Sequence, residues 1–140
     1  MDPDPRRFDE LSRDAELGVP VPFACVSARE VDPRRVPQCA LSRVCGICGA
    51  GLGRPLAFVG SPEEAARNAF HFPPAHLACA EALLAAYDGV EAAVLGQQKP
   101  LGSWAVVTTA GFEFVRPSRG QVDARPTFQP NSLLEERRVR

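Results

Sequence analysis

Lysine is almost missing from this chain of 140 residues: Lys99 stands alone, and arginine supplies the other basic residues. Against 17 acids the 16 basic residues leave a formal charge of -1, so no global field draws the protein to nucleic acid or to an anionic membrane. The balance hardly shifts along the chain, with eight acids against six Arg in residues 1–40 and four against six in 111–140. Histidine is scarce, with only His71 and His76. That scarcity speaks against a nuclease-type metal centre, which needs further His or Asn ligands. No apolar run approaches the roughly 20 residues needed to span a bilayer. The start, Met1-Asp2-Pro3-Asp4-Pro5-Arg6-Arg7, is charged with no apolar stretch behind it, so no signal peptide is expected and the cytoplasm is the expected location. There thiols stay reduced, and five Cys, an odd number, disfavour a complete disulfide framework. Reduced cysteines at tight spacing then need another explanation.

What is present fits one domain. The 45% hydrophobic and 24% charged content is that of a soluble globular protein, and 14 Pro with 11 Gly point to an architecture rich in loops. Residues 1–20 read as an N-terminal segment with flexibility and a short helix over Phe8 to Leu17. Val21 to Val26 reads as a strand restricted by Pro22 to an edge or a strand start, and Asp32 to Pro37 as a loop. Pro55 to Gly60 reads as a strand. Ser61-Pro62-Glu63-Glu64 is a capping box with Pro at the first helical position, opening a helix to about Asn68. Ala69 to Phe72 reads as a second short strand. The best helix runs from about Pro74 to Tyr87, stopped near Asp88-Gly89. Ser103 to Thr108 and Phe112 to Val115 are β-like, with a hairpin junction at Thr109-Ala110-Gly111. Pro126 to Pro130 allows a short edge strand, and Ser132 to Glu135 looks like another capping box before the charged tail.

The informative residues are Cys45-x-x-Cys48 and His76-x-x-Cys79. Zinc takes four ligands at tetrahedral corners, favours thiolate and imidazole, and can be reached by two ligands that are close in sequence. In the first pair a tight turn brings both sulfurs to one side. In the second, positions i and i+3 share a helix face, in a first turn whose unpaired amides and positive dipole end favour thiolate. The 27 residues between the pairs read as strand, short excursion, strand. A knuckle, a hairpin and two ligands at a helix start is the arrangement of a treble clef. A redox pair usually opens a helix after a strand, whereas Gly49, Gly51 and Gly53 follow this one. Cys39, six residues before Cys45, is the main rival ligand and Cys25 a weaker one, each better read as a core thiol. His71 reads as a half-exposed strand residue. Four protein ligands leave no position for water, which makes the expected zinc structural rather than catalytic.

The stretch Cys45-Gly46-Ile47-Cys48-Gly49 through Pro73-Pro74-Ala75-His76-Leu77-Ala78-Cys79-Ala80 resembles treble-clef zinc fingers. More narrowly, it is similar to small uncharacterised actinobacterial and actinophage proteins with a CxxCG-x-x-LG knuckle, an "AF(V)G/I" strand and a PPxHxxCA helix start. Leu52-Gly53, Ala57-Phe58-Val59-Gly60 and Pro73 to Ala80 carry the match, over roughly residues 40–90. The resemblance implies one zinc at Cys45, Cys48, His76 and Cys79 and a small α+β domain, and it assigns no activity. A Cys-Pro pair that often follows the helix in such proteins is replaced here by Ala85-Ala86-Tyr87-Asp88, which counts against a second site.

The expected architecture is therefore a single α+β domain, zinc-stabilised over 21–130, with a treble-clef core at about 40–90. A C-terminal β-hairpin is added to it, and 131–140 form a short helix or tail. The expected role is a binding or adaptor module for a protein partner. Arg116, Arg119, Arg125, Arg137, Arg138 and Arg140 keep nucleic acid open as a partner. The alternative is a small enzyme, or an accessory subunit of a metabolic enzyme, on the same scaffold. Its candidate reactive groups would be Cys25, Cys39, His71, Glu113 and Tyr87, with Trp104, Phe112 and Phe114 as pocket walls. None of them forms a recognisable nucleophile–base pair in sequence.

Overall fold

The structure is a computed structural model that describes residues 8–139; Met1–Arg7 of the N-terminal segment and Arg140 of the tail lie outside the described residues. Among the described residues the fully described helices are α1 (Arg35–Ser42), α2 (Pro62–Arg67) and α3 (Leu77–Ala86), with Phe8 and Asp9 also helical, and the strands are β1 (Leu56–Gly60), β2 (Ala75–His76), β3 (Trp104–Val115) and β4 (Thr127–Val139). The strands form one antiparallel sheet in the order β2-β1-β3-β4. No helix among the described residues is long and apolar enough to cross a membrane.

Both faces of the sheet are buried along β1 and over residues 105–109 of β3. Strand alternation sends Ala57, Val59 and Val106 into one core with α3 and the cysteines, and Phe58 and Val107 into a second core with Val36, Phe70 and Phe128. The second core is an aromatic stack, with Phe58 and Phe70 ring centroids 5.5 Å apart and Phe114 and Phe128 5.0 Å apart. Phe112 and Phe114 pack against this stack, and Trp104 packs against the other core. Phe112 and Phe114 are packing groups, whereas Trp104 also borders a small cleft of about 240 Å³ with Leu84, Tyr87 and Leu101.

The capping box at Ser61 forms as the sequence indicates. Glu64 N–H donates to Ser61 Oγ at 3.0 Å, and Glu64 Oε1 accepts from Ser61 N at 2.9 Å. Glu64 is nevertheless buried, because the same carboxylate also accepts from the His71 amide at 3.0 Å and from Gln97 Nε2 at 2.6 Å. One local cap thus ties α2 to two distant segments.

Several local expectations give way to tertiary pairing. Thr109-Ala110-Gly111 is not a turn: β3 runs straight through it for 12 residues, and the chain reverses at 116–126. That loop contains Pro117, Pro126 and Gly120 at φ +88. Ser132 to Glu135 opens no helix. The segment continues β4 to Val139, with Leu134 as an extra residue where Thr108 pairs Glu135 but Thr109 pairs Leu133. The edge strand at Pro126 to Pro130 is therefore much longer than expected. Pro130 is tolerated because Phe128, two residues earlier, turns its N–H and C=O away from β3 toward Phe70, so a proline facing the same way removes no bond to β3.

Ala69 to Phe72 contributes only the Phe70–Phe128 bridge, and Val21 to Val26 forms no strand. Phe8 to Leu17 is mostly turns, pinned by Asp14, whose carboxylate accepts from the amides of Glu16, Leu17 and Ala28. The loop read at Asp32 to Pro37 ends in α1, where Pro37 sits in the first turn and forfeits no intrahelical bond.

Replacing Glu64 by Ala strands the Ser61 and His71 amides. It should cost roughly 1–3 kcal/mol, read as a lower urea midpoint, and more than Ser61→Ala, which removes only the helix-cap acceptor, worth about 1 kcal/mol.

Candidate metal centre

The four side chains singled out by spacing converge. Cys45, Cys48, His76 and Cys79 are all buried, and their candidate donor atoms lie within 4.8 Å of one another. Nδ1 of His76 is 3.4 Å from Cys48 Sγ and 3.7 Å from Cys79 Sγ. Bonds of about 2.0–2.3 Å to a tetrahedral ion put S and N roughly 3.5 Å apart, so the donors already stand near the required separations. Neither Cys25 nor Cys39 belongs to this group.

The local chain explains the convergence. Around the knuckle, Gly49 N–H donates to Cys45 O at 2.9 Å and Cys45 N–H to Ala50 O at 2.7 Å. Gly49 has φ +79, and a Cβ there would meet the Phe23 ring at 2.9 Å, so the turn needs glycine on both counts. Gly46 N–H donates to Pro74 O at 2.8 Å, tying the knuckle to the strand that precedes α3. His76 is the residue before the helix and Cys79 the third within it. His76 therefore approaches from extended backbone and Cys79 from the first helical turn. The segment expected as a strand at Val21 to Val26 braces the knuckle from the other side, with Phe23 and Ala24 amides donating to Ile47 O and Gly46 O.

The arrangement also sets the protonation pattern. His76 Nε2 is 2.8 Å from Gly51 O, a contact in which only an N–H donor fits, so the neutral ring presents the Nδ1 lone pair to the sulfurs. Cys45 Sγ receives the amides of Ile47, Cys48 and His76, each at 3.4 Å. Burial opposes charge on Cys45, but the Cys48 and Cys79 thiols and these amides outweigh it and hold Cys45 well below the ordinary thiol range. Hydrogen bonding to Cys45 and Cys48, together with burial, pushes Cys79 the opposite way. The thiolate is thus favoured at Cys45 and disfavoured at Cys79. Three thiols and one imidazole form a donor set suited to zinc.

The remaining candidates are placed elsewhere. Burial pushes the thiols of Cys25 and Cys39 up to about 12, so both are inert core groups. Tyr87 spends its hydroxyl on Pro20 O at 2.6 Å, and Glu113 is exposed. His71 is buried rather than half-exposed. It borders a polar cleft of about 490 Å³ with Arg67, Arg116, Asp123 and Arg125. Its Nδ1 is 3.1 Å from Pro126 O and its Nε2 3.3 Å from Asp123 Oδ2. With both ring nitrogens turned to oxygens of the 116–126 loop region, it has none left for a substrate. The brace by Phe23 and Ala24 and the Gly51 carbonyl are the parts of the centre that sequence reading missed, because no spacing signals a backbone contact from a distant loop.

No family model, curated protein or solved structure matches the chain, and the centre is read from its own geometry.

Metal affinity should fall as pH falls below neutral, because bound Cys thiols must lose protons that acid returns to them. A chromophoric chelator would report this as faster and more complete metal transfer in acid.

Proposed function

We propose that this chain is a zinc protein of treble-clef type whose ion is structural, and that it serves as an interaction module for another protein. The observation that carries the zinc reading is the closed donor set: three sulfurs and one nitrogen, all buried, joining the knuckle to the start of α3. The order of knuckle, paired β1 and β2, then helix supports the treble-clef reading. So does the resemblance of residues 40–90 to the small actinobacterial and actinophage proteins. With four protein donors the ion has no open position for substrate or water, so it would act as a clamp whose binding free energy is folding free energy.

A protein partner is favoured over nucleic acid by the way the C-terminal arginines are spent. Arg125 pairs with Asp123, Arg137 with Glu81 and Glu135, and Arg138 with Glu136, which offsets the positive charge at three of the six C-terminal arginines. An enzyme is disfavoured by the engaged His71 and the inert thiols.

Elemental analysis of the purified protein should return one zinc per chain; iron, or no metal, would refute the assignment. Cys48→Ser and Cys79→Ser should each lose the metal and most of the thermal stability, whereas Cys25→Ser should keep the metal. Retention of metal by Cys79→Ser with loss in Cys25→Ser would sink the ligand set. Binding to DNA or RNA should be absent; a tight complex that weakens steeply with salt would reverse the choice of partner.

A further inference from the structure

Strand β4 ends the sheet, and its outer side changes character along its length. Near the start it is covered: Phe128 exchanges both backbone hydrogen bonds with Phe70, and Pro130 O accepts from Asn68 Nδ2 at 2.9 Å. Beyond the bulge no described residue pairs with it. Among the described residues, none donates to or accepts from the outer backbone of residues 133–139, and 131–138 are all exposed. Leu133 and Leu134 stand there 59% and 61% exposed, beside a row of unpaired amides and carbonyls. Such an edge is a template for another strand unless something blunts it.

Charge is the usual blunting device, and this edge is charged: Glu135, Glu136, Arg137 and Arg138 follow one another. A run of one sign would repel a second copy of itself. Two acids followed by two bases do the opposite. When two such segments run antiparallel about a two-fold axis at Glu136, Glu135 of each lies opposite Arg137 of the other, and each Glu136, facing its own copy, has Arg138 of the other strand as its diagonal neighbour on the same face. Leu133 of each then lies near Val139 of the other. Opposite charges across an antiparallel pair are stabilising and like charges are not. The symmetry is that of an isologous dimer, in which one patch serves both partners.

We propose that the outer edge of β4 over residues 133–139 is a homodimer interface, joining the sheets of two copies of this chain into one continuous antiparallel sheet. The ion pairs within each strand, Arg137 with Glu135 and Arg138 with Glu136, are solvent-exposed and are exchanged for pairs across the interface at little cost. Dimerisation would also cover the two exposed leucines, which no element of the single chain reaches. The interface uses no metal-site residue and goes beyond the zinc reading; either can fail without the other.

Sedimentation equilibrium of the full chain at several concentrations provides the test. The wild type should dimerise reversibly, and more weakly as salt rises. A protein that stays monomeric into the high micromolar range would overturn the proposal. The double variants Glu135→Arg/Glu136→Arg and Arg137→Glu/Arg138→Glu each place like charges across the interface. Each should raise the dissociation constant on the order of tenfold or more. An equimolar mixture of the two should restore a dimer containing one of each. Circular dichroism matching the wild type would show that each variant has folded. Unchanged self-association in both variants, or a mixture that stays monomeric, would place any dimer contact elsewhere and end this assignment.

Discussion

Two short stretches, Cys45 to Cys48 and His76 to Cys79, must be held against each other for the rest of the molecule to stand where it does. Each brings half of a donor set, and neither half is satisfied alone. Three buried thiols and an imidazole this close together form a donor set that a cation would satisfy. The backbone already anticipates it: Gly46 reaches Pro74, the Gly51 carbonyl orients His76, and three amides converge on the Cys45 sulfur. The same contacts set β2 against β1 and aim α3 across one face of the sheet, so the centre organises one core directly.

The opposite face is organised by different means. There a stack of phenylalanines from β1, β3, β4 and the Phe70 segment fills the space, and Glu64 and His71 turn polar atoms inward with every partner supplied. His71 and Asp123, with Arg125 reaching the Gly96 carbonyl at 2.8 Å, hold the loop between β3 and β4. A face packed against the Cys/His cluster and an aromatic face share β1 and residues 105–109 of β3, which explains why these segments are buried on two sides although the sheet is antiparallel. The second half of β3 is partly exposed, and over its own second half β4 presents an edge rather than a core.

Legibility followed the range of the interaction. The donor residues could be found because metal chemistry imposes short spacings, and a pair two residues apart is visible without knowing the fold. The helix after Ser61 was visible because capping is settled within four residues. The helix after His76, which has no side-chain cap, was visible from its prolines and its stop near Asp88-Gly89, though it begins later than those prolines suggest. Ser132 to Glu135 shows the limit of that reasoning. The pattern matches a cap, yet the segment is a strand, because pairing with the buried half of β3 outweighs a cap with no long helix behind it. Thr109-Ala110-Gly111 failed for a similar reason: small residues permit a turn without requiring one, and pairing with β4, with β1 reaching as far as Thr109, kept the segment extended.

By itself the sequence determined which residues could be donors, that the chain would form a small mixed domain, and where short-range caps would start helices. Those outcomes depend on residue type and spacing over a few positions, which the chain carries wherever it goes. Tertiary structure alone decided that β3 would be one long strand and that Val21 to Val26 would brace the knuckle. It also turned His71 inward against the loop at 116–126 and left the Glu-Glu-Arg-Arg segment on an open edge. Each of these depends on which distant segment supplies the matching hydrogen bonds. Such a choice is made by the whole set of competing pairings, and no local window contains it.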